Sequence, residues 1–401
     1  MELTKKQSEG LKIAIARYRD NEKYTVISGY AWVGTGKSTL VKFIISALGN
    51  DGINPDTDVC YTAYTGKAAE VLRKKGNPNA MTLHKLLYTS IPKPNGGFFR
   101  KIKEALEYSI IVVDEVSMVP KTMIDILLKF PVYVIFLGDP FQLPQIDKNE
   151  AHDLLEHPHV FLDEVMRQAQ ESEIIKMTMK IRNFEPIDFS KGKEVIVIPH
   201  KELVTGHLLW ADQIICSTNA KRAAINNQMR DLLGYSGILQ DGEKIIIKRN
   251  YWDVFSEPKG DCLVNGMTGI VRDPFESFIK LPRYIRSDIK TINTIICNFI
   301  PDGEDGEAFL NIDFNKNFIE KEEPLDWKLT YQLGKLKPKI GDLIPKDATY
   351  GYAITAHAAQ GSEYDKVLVI EESFPFVKTE HARWLYTSCT RAAKKLVLVR
   401  S

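Results

Sequence analysis

Short apolar runs alternate with helical periods through the first third of the chain. Four runs rich in β-branched residues predict strands, at Tyr24 to Ser28, Asp58 to Thr62, Ile110 to Val113 and Val132 to Leu137. Apolar positions between the runs recur at helical spacing, as at Leu40, Phe43, Ile44 and Ala47. This alternation is typical of a parallel sheet with crossover helices. The pattern therefore predicts an α/β core.

A second α/β pattern lies later in the chain. Its predicted strands are Gln213 to Ser217, Lys366 to Ile370 and Lys395 to Val399. The segment from about Asn250 to Lys346 has a different character, with few helical periods and with β-branched or aromatic runs such as Ile289 to Ile300. We expect it to form a small β-rich insertion in the second core.

These patterns give a predicted domain organisation within the α/β class. The first core covers residues 1–190 and the second covers 191–250 and 345–401, with the β-rich insertion at 251–344. The segment Ser90 to Arg100 contains Pro92, Pro94, Gly96 and Gly97, followed by Phe98 and Phe99. Such a cluster favours a hairpin or loop, so we predict a small insertion in the first core at about residues 86–106.

Composition narrows the class of protein. A chain of 401 residues with 44% hydrophobic and 26% charged residues is long enough for two or three globular domains. Lys and Arg number 53 against 52 Asp and Glu, so any basic surface for nucleic acid must be local. The N-terminus is polar and no apolar run reaches the length of a membrane span, so we expect a soluble, cytoplasmic protein.

The five cysteines are scattered and form no Cys-x-x-Cys pair, which argues against a zinc site or a disulfide framework. We interpret them as reduced thiols in the core.

The first predicted strand leads into a glycine-containing segment that ends in Gly36-Lys37-Ser38-Thr39 and then into a helix. A strand, a glycine loop and a helix N-terminus together direct backbone N–H groups at phosphate oxygens. We expect Lys37 to reach the β and γ phosphates of ATP and the Ser38 hydroxyl to bind Mg²⁺. Further nucleotide contacts are expected from the other loop residues, Gly34, Thr35, Gly36 and Thr39.

The third predicted strand ends in Asp114-Glu115. An aspartate at a strand end can hold hydrated Mg²⁺, and the adjacent glutamate can polarise the attacking water. Following a phosphate loop, this pair indicates hydrolysis as well as binding. Arg167 and Arg391 are candidates to neutralise charge on the γ phosphate, although an isolated arginine is more often part of a surface ion pair.

The order of short segments resembles the RecD/Dda group of superfamily 1B helicases over almost the whole chain. The segments fall in the family order: Leu3 to Gln7 resembles the Q motif, the phosphate loop motif I, Thr62 to Ala69 motif Ia, Thr82 to His84 motif Ib, Asp114 to Met118 motif II, Gly138 to Pro144 motif III, Arg167 motif IV, Tyr352 to Glu363 motif V and the segment ending in Arg391 motif VI.

The resemblance implies two RecA-like cores, an SH3-like β-rich insertion, and an ATP-dependent DNA helicase that moves 5′ to 3′. It further implies that Gln7 recognises adenine, that Gln142 contacts the γ phosphate, and that Gly361 and Glu363 of motif V contribute to the nucleotide site. The implied partners are single-stranded DNA and its junctions with duplex, with single-strand-binding or replication proteins as further candidates. We expect a monomer that acts in DNA replication, recombination or repair in a bacterial or phage-infected cell.

The same resemblance gives a track for single-stranded DNA across both cores. The residues expected to contact the strand are Tyr64, Thr65, Lys67, Thr82, His84, Thr355, His357 and Ser362. Phe98 and Phe99 are our hypothesis for the hairpin that splits the duplex, since base stacking on an aromatic ring contributes roughly 1 to 3 kcal/mol. Each of these residues also has a simpler interpretation as a helix cap, a surface residue or a loop anchor.

Three departures from the family pattern limit the comparison. Ala31 replaces the first glycine of the phosphate loop, Tyr64 stands where motif Ia has proline, and Ala358 where motif V often has lysine. Two other functions stay open, a single-strand translocase that strips bound proteins and a nucleotide-gated loader or scaffold subunit. Glu115, Gln142 and the two arginines argue against the second of these, because a binding-only module needs no water activation.

Overall fold

A computed structural model describes residues 3–30, 36–92, 98–145, 147–164, 171–258, 261–285, 287–302, 307–340 and 343–400, with only the backbone described at 90–92, 98–100, 148, 252 and 337–340. Within these residues the helices α1 to α12 are, in chain order, Lys5–Arg19, Lys37–Leu48, Gly66–Lys74, Leu83–Leu87, Lys121–Leu127, Glu173–Arg182, Thr205–Trp210, Asn219–Leu232, Lys316–Lys321, Trp327–Ile340, Ala356–Ala359 and Lys378–Cys389.

The strands of the described residues are likewise numbered in chain order. Strands β1 to β21 are Tyr24–Gly29, Val59–Ala63, Met81–Thr82, Tyr88–Pro92, Phe98–Ile102, Ile110–Asp114, Tyr133–Gly138, Val160–Leu162, Ser190–Lys191, Val195–Pro199, Gln213–Cys216, Lys244–Ile247, Tyr251–Phe255, Cys262–Leu263, Thr268–Lys280, Thr291–Pro301, Phe309–Asn315, Ala348–Tyr350, Ala353–Thr355, Tyr364–Ile370 and Ala392–Arg400.

The first sheet has six strands in the order β3-β2-β6-β7-β1-β8, and every neighbouring pair is parallel. All six residues of β7 are buried, as are the first four of β6. Such continuous apolar strands are typical of a parallel sheet covered on both faces. Leu40 and Ile44 of α2 and Ala14 of α1 pack against Ile27 and Ile135 of the sheet. The predicted α/β class is confirmed.

The second sheet has the order β19-β11-β20-β21-β10-β9. Strands β11, β20, β21 and β10 are mutually parallel, and β9 joins β10 in the antiparallel direction. Strand β11 is buried throughout, and the buried residues of β20 and β21 include the runs 367–370 and 396–399. The sheet therefore repeats the architecture of the first, with the segments that resemble motifs V and VI on either side of β20.

A third, antiparallel sheet has the order β17-β16-β15-β12-β18. Strands β15 and β16 form a long hairpin, paired from Gly269 and Pro301 to Lys280 and Thr291. Two strands of this sheet, β12 and β18, lie outside the predicted insertion 251–344. An isolated apolar run does not reveal which sheet it will join, so the sequence could not assign them.

Helix α10 was not anticipated in the β-rich segment. Gly334 and Pro338 disfavour a helix, but Leu329 and Leu333 lie at helical spacing and are buried against the tip of the β15–β16 hairpin. Burial of this apolar face outweighs the weak local propensity. Among the cysteines, Cys262 on β14 is only partly buried, whereas the other four are buried as expected.

The chain divides into two compact units. The first comprises Met1–Leu87, Lys103–Asn219 and Thr355–Ser401, and the second comprises Tyr88–Ile102 and Ala220–Ile354. The first unit holds the first sheet together with β9, β10, β11, β20 and β21, and the second holds the five-stranded sheet and the β4–β5 hairpin. Among the described helices, none combines the length and the apolar character needed to cross a membrane.

Candidate nucleotide site and nucleic-acid track

Four motif-bearing segments follow four neighbouring strands of the first sheet. The phosphate loop follows β1, motif Ia follows β2, motif II follows β6 and motif III follows β7, and these strands lie side by side as β2-β6-β7-β1. Parallel strands have their carboxyl ends at the same edge of a sheet, where ligands of open α/β sheets bind. The topology therefore gathers segments that are up to 110 residues apart in sequence.

After Tyr30, the structure describes the chain again from Gly36, the residue of the phosphate loop that precedes α2. Gly36 has a left-handed backbone with φ of 74°, and a Cβ at this position would lie 2.0 Å from Nε2 of Gln7. Gln7 is buried and forms a capping box with Thr4, whose backbone N–H donates to Gln7 Oε1 at 2.9 Å. Both the positive φ and the close approach of Gln7 therefore require glycine at position 36. Gln7 lies beside the phosphate loop, in keeping with its predicted role.

Lys37 is the first residue of α2, and its Nζ donates a hydrogen bond to the Tyr30 carbonyl on the other side of the loop. Burial lowers the pKa of the Lys37 ammonium, while the carboxylates of Asp139, Asp114 and Glu115 act in the opposite direction. A polyphosphate entering the site would add negative charge beside this desolvated cation and so favour its charged form.

Asp114 and Glu115 lie at the carboxyl end of β6. The backbone N–H of Glu115 donates to Asp114 Oδ1 at 2.9 Å, which fixes the aspartate at the end of the strand. Glu115 has φ of 50° and ψ of 46°, in the left-handed region that a non-glycine residue occupies only at a cost of roughly 1–2 kcal/mol. Strain of this kind is concentrated at functional sites, and here it turns the chain directly after the strand.

The side chain of Glu115 is largely buried and incompletely paired. Its Oε2 atom has no hydrogen-bond partner among the described residues, and burial raises the pKa of the carboxyl, with Arg391 lowering the pKa and Asp114 raising it. Burial likewise raises the pKa of Asp114. A general base benefits from a pKa nearer to neutrality than that of a free carboxyl. An unpartnered oxygen at this position is suited to accept a proton from water.

Arg391 reaches this carboxylate from the second sheet. It follows α12, is buried, and its Nη1 lies 3.9 Å from Glu115 Oε1. Its Nε donates to the Thr387 carbonyl at 3.1 Å, Nη1 to the Ser362 carbonyl at 3.3 Å, and Nη2 to Thr390 Oγ1 at 3.2 Å. These bonds hold the guanidinium in one orientation, so motif VI and motif II meet at a single place.

Gly361 of motif V lies at the same place. Its φ is 78°, and a Cβ there would lie 2.9 Å from Cβ of Ala68 and 3.2 Å from Oε2 of Glu115. Any side chain would therefore collide with motif Ia and approach the Glu115 carboxylate. Motifs Ia, II, V and VI converge around Glu115 because residue 361 has no Cβ.

Two side chains from the segments before and after β20 form hydrogen bonds with motif III. The backbone N–H of Leu143 donates to Thr387 Oγ1 at 3.0 Å, and its carbonyl accepts from Gln360 Nε2 at 3.0 Å. Both bonds are buried, and the neighbouring Gln142 is 5% exposed. We call residues 142–143 with Gln360 and Thr387 the motif III clasp. The clasp connects the predicted γ-phosphate contact to motifs V and VI.

The hydrogen-bond network around Asp139 was not predicted from the sequence. This buried aspartate accepts from the Phe141 N–H at 2.8 Å, from Tyr386 Oη at 2.5 Å and from Arg182 Nη1 at 3.1 Å. The Arg182 guanidinium also lies 4.3 Å from the ring centroid of Tyr30. Asp139 lies inside motif III, but its partners come from distant helices, so only the fold identifies the network.

The remaining nucleotide-site predictions differ in how far the structure describes them. Ser38 is exposed and Thr39 half-buried in the first turn of α2, and Glu363 is exposed after Gly361. Gly34, Thr35 and Arg167, and the altered loop start from Ala31 to Val33, lie outside the described residues. Their roles stay predictions.

Two predicted DNA contacts from different motifs form a pair of rings. Tyr64 of motif Ia and His84 of motif Ib have ring centroids 5.5 Å apart with an interplanar angle of 41°, and both are partly exposed. The next predicted contact, Lys67, lies in the first turn of α3 and pairs with the buried Glu70 at 3.4 Å. Because β2 and β3 are neighbours, motifs Ia and Ib lie at the same edge of the sheet.

The hydroxyl groups of the predicted track have different local tasks. Thr65 Oγ1 accepts from the Ala68 N–H, and Thr82 Oγ1 accepts from the Lys85 N–H, each at 3.2 Å. Ser362 is buried, and its carbonyl is occupied by Arg391. Thr355 precedes α11 without a capping bond from its side chain, which leaves its hydroxyl available for another acceptor.

His357 lies on α11 and is partly exposed. Burial lowers the pKa of its ring, which keeps it neutral near pH 7. A neutral ring can contact a strand through a hydrogen bond or stacking, without the attraction of a full positive charge.

The predicted hairpin is present as β4 and β5. Backbone pairing runs from Tyr88 and Ile102 to Pro92 and Phe98, so Phe98 and Phe99 lie on the second strand next to the connection. Antiparallel strands joined by a short segment are the expected result of the proline and glycine cluster. The orientation of the two phenylalanine side chains is outside the described part of the structure.

Comparisons with known proteins agree with these features. A family model described as an AAA domain matches residues 2–193, and one described as a UvrD-like helicase C-terminal domain matches residues 350–399. The two matched stretches carry motifs I to IV and motifs V and VI, respectively.

Similar proteins include both characterised helicases and an uncharacterised relative. An uncharacterised protein of Acanthamoeba polyphaga mimivirus is 26% identical over 98% of both chains. The ATP-dependent DNA helicase Dda of Enterobacteria phage T4 is 29% identical over 37% of this chain, and the RecD2 DNA helicase of Deinococcus radiodurans is 34% identical over 36%. These two matches span 34% and 20% of the helicases' own lengths.

Solved structures of Pif1 helicases share the fold. A Bacteroides Pif1 helicase in complex with ADP-AlF3 and single-stranded DNA superposes with a TM-score of 0.53 at 20% identity, covering 99% of this chain and 92% of that one. A Pif1 structure from a study of forked duplex DNA gives a TM-score of 0.56, also at 20% identity, covering 100% and 92%. The likeness supports two RecA-like cores, as predicted. By its ordered motifs and matching family models, the chain belongs to the RecD/Dda group of superfamily 1B helicases, and it shares its fold with Pif1 helicases.

Proposed function

We propose that this protein is an ATP-dependent DNA helicase that translocates 5′ to 3′ along single-stranded DNA and separates duplex. The observation that carries the proposal is the approach of Arg391 to Glu115, at 3.9 Å, because it joins segments of both parallel sheets in one hydrolytic site. A module that only binds nucleotide has no need of a buried, unpartnered carboxylate oxygen beside an arginine.

Nucleotide binding is assigned to the edge of the first sheet. Lys37 and the backbone N–H groups at the start of α2 bind the β and γ phosphates, together with Gly34, Thr35, Gly36 and Thr39 of the loop. Gln7 lies beside Gly36 and is proposed to contact the adenine. Gly361 and Glu363 complete the site from motif V.

The donor set fits Mg²⁺, which prefers oxygen ligands. Ser38 offers an exposed hydroxyl at the start of α2, and Asp114 offers a carboxylate at the end of β6. When bound, the ion would neutralise charge on the β and γ phosphates and orient them. Ser38 and Asp114 would hold it, directly or through its water shell.

Glu115 acts as the general base. Its unpartnered Oε2 accepts a proton from water as the water oxygen bonds to the γ phosphorus, and the bond from that phosphorus to the β–γ bridging oxygen breaks to leave ADP. Arg391 stabilises the negative charge that develops on the γ oxygens, and Arg167 is proposed to assist it. Gln142 senses whether the γ phosphate is present.

Movement follows from the way motif III is held. Gln142 precedes Leu143, whose two backbone bonds go to Gln360 and Thr387 in the segments of the second sheet. Loss of the γ phosphate would alter Gln142 and be transmitted through the clasp. A strand bound by Tyr64, Thr65, Lys67, Thr82, His84, Thr355, His357 and Ser362 would then be held alternately by the two sets of motifs.

The proposed partners are single-stranded DNA and its junctions with duplex, and the proposed working form is a monomer. Single-strand-binding or replication proteins are further proposed partners. We retain the bacterial or phage-infected cytoplasm as the proposed setting, alongside the similarity to a mimivirus protein over the full length.

The decisive measurement is unwinding of duplexes that carry either a 5′ or a 3′ single-stranded tail, with ATP hydrolysis followed in parallel. We expect unwinding of the 5′-tailed duplex and hydrolysis that increases with single-stranded DNA. Lys37→Ala should abolish both activities because it removes the phosphate-binding cation. Unwinding of the 3′-tailed duplex alone would overturn the polarity.

The same assay separates the alternatives. Stimulated hydrolysis with displacement of a bound protein but no duplex separation would identify a single-strand translocase. Hydrolysis that is indifferent to single strands would contradict a motor of any kind and leave a nucleotide-gated scaffold.

A further inference from the structure

A satellite hydrophobic core lies in the second unit, at the tip of the β15–β16 hairpin. Leu281, Ile285 and Ile292 of the hairpin are buried against Leu329 and Leu333 of α10. Asp326 fixes the start of the helix, because its Oδ1 accepts from the N–H groups of residues 328 and 329 at 2.9 and 3.1 Å. The inner face of α10 is therefore used for packing.

The outer face of α10 carries aromatic and basic side chains. Trp327 is 71% exposed and Tyr331 is 38% exposed, and the two residues are one turn apart. Lys335 Nζ lies 4.5 Å from the Tyr331 ring centroid, and Lys328 Nζ lies 5.8 Å from the Trp327 centroid. We call Trp327, Lys328, Tyr331 and Lys335 the α10 surface. Each exposed ring thus has an ammonium group beside it.

The charge around this surface departs from that of the chain. The satellite core is bounded by Ile279 and Ile292 and by Leu325 and Ile344, and the side chains that the structure describes in these two segments include five Lys and Arg, all exposed, against two Asp. The whole chain contains 53 against 52. Positive charge is therefore concentrated around the satellite core, although the whole chain is nearly neutral. Lys280, Arg283 and Lys290 are also exposed.

We propose that the α10 surface, which belongs to the second unit, binds single-stranded nucleic acid in addition to the motif residues of the first unit. Bases stack on Trp327 and Tyr331, and Lys328 and Lys335 neutralise the adjoining phosphates. Every base has a ring face, so the site binds without strong sequence preference. An acidic protein segment would use the lysines but would leave two exposed rings unexplained, so nucleic acid is the better match.

Photo-crosslinking tests the contact directly. The full chain with Trp327→p-benzoylphenylalanine is irradiated with labelled oligothymidylate without ATP, and hydrolysis stimulated by single strands is measured on the same preparation. A matched control carries the photoreactive residue at Phe376, which is 83% exposed and lies in the first unit. We expect a crosslink at position 327 that unlabelled oligothymidylate removes and polyglutamate does not.

The two readouts distinguish failure of this inference from failure of the proposed function. Stimulated hydrolysis without a crosslink at 327 would overturn the surface and leave the helicase intact. A crosslink without stimulated hydrolysis would support the surface while the proposed motor fails. If polyglutamate removed the crosslink and unlabelled oligothymidylate did not, the assignment to nucleic acid would be overturned in favour of an acidic protein.

Substitution tests the chemistry of the surface. Lys328→Gln with Lys335→Gln should reduce the slope of log affinity against log salt by about 1.4, at roughly 0.7 for each phosphate that a lysine no longer neutralises. Trp327→Ala with Tyr331→Ala should weaken binding of oligothymidylate by about fivefold or more with little change in the slope.

A charge-matched control, Lys201→Gln with Lys321→Gln, removes two exposed lysines elsewhere and should leave the affinity unchanged. All four residues of the α10 surface are exposed and lie outside the satellite core, so the variants should keep their circular dichroism spectra. Unaltered salt slope and affinity in both surface variants would overturn the proposal.

Discussion

Glu115 combines three unfavourable properties in one residue. Its backbone is in the left-handed region, its side chain is largely buried, and one of its carboxylate oxygens has no hydrogen-bond partner in the described part of the chain. Each property costs free energy of folding, and a residue that served only stability would avoid all three. Together they present a carboxylate with a raised pKa to the space between motifs II, V and VI.

Replacement of Glu115 by glutamine should separate nucleotide binding from hydrolysis. Glu115→Gln keeps the shape of the side chain but cannot accept a proton, so we expect hydrolysis to fall by about a hundredfold to ten-thousandfold. Affinity for ATP should stay within about twofold, because Lys37 and the loop bind the phosphates. Stopped-flow binding with a fluorescent ATP analogue and a phosphate-release assay measure the two quantities.

The control for this variant is Glu107→Gln, which changes an exposed glutamate away from the site and should leave both quantities unaltered. Brisk hydrolysis by Glu115→Gln would remove the residue from the role of base.

The same substitution should change how stability depends on pH. Burial raises the folded-state pKa of Glu115 above its ordinary value of 4.5, so the folded protein holds this proton more tightly than the unfolded chain does. This contribution to the free energy of unfolding is complete below the ordinary pKa and decreases as pH rises towards the raised one. Glutamine does not titrate and lacks that decrease.

Glu115→Gln should therefore gain stability relative to the parent as pH rises, with the smallest difference below the ordinary pKa of the carboxyl and the largest above its raised pKa. The difference includes the coupling between the two carboxyls, because the Asp114 carboxylate contributes to the raised pKa of Glu115. Urea unfolding at several pH values measures the difference, and a difference that does not vary with pH would contradict the raised pKa.

At the scale of elements, function depends on where strands end. Strands β1, β2, β6 and β7 could be located from their apolar runs, because a strand buried on both faces must be almost continuously hydrophobic. Helix α10 could not be located in this way, since its weak propensity is overcome by packing on the β15–β16 hairpin. Local sequence signals therefore identified the strands in which almost every residue is apolar and buried.

The β4–β5 hairpin gives a prediction at this scale. Phe98→Ala with Phe99→Ala should impair duplex separation and leave hydrolysis stimulated by single strands largely intact, because the two residues belong to the hairpin and not to the motifs. Thr89→Ala, an exposed position on the partner strand, serves as the control. Parallel unwinding and hydrolysis assays measure both effects, and equal loss of the two activities would reject the hairpin as the separating element.

For the whole molecule, the essential fact is that two sheets supply one site. Motif II belongs to the first sheet, whereas Arg391 and Gly361 come from the segments around β20 and β21. Neither sheet alone has both the Glu115 carboxylate and the arginine beside it. Hydrolysis should accordingly depend on the second sheet as strongly as on the first.

Arg391→Ala tests this dependence. Loss of an arginine that stabilises the transferred phosphoryl group typically costs about a thousandfold or more, so we expect hydrolysis to fall by that order while the ATP affinity changes little. Arg383→Ala removes a half-buried arginine of the same helix, α12, and controls for general disturbance. Steady-state hydrolysis with saturating ATP and DNA measures the effect, and near-normal turnover would place the charge stabilisation elsewhere.

The amino-acid sequence by itself determined the family, the α/β class and the identity of the motif residues, because phosphate loops and strand-end carboxylates need particular residues in a fixed local order. Only the tertiary structure decided how those motifs meet. The network around Asp139, the clasp on Leu143 and the collision that reserves position 361 for glycine each join residues that are distant in the chain. Such contacts depend on how two sheets and their helices pack, and no local pattern encodes that arrangement.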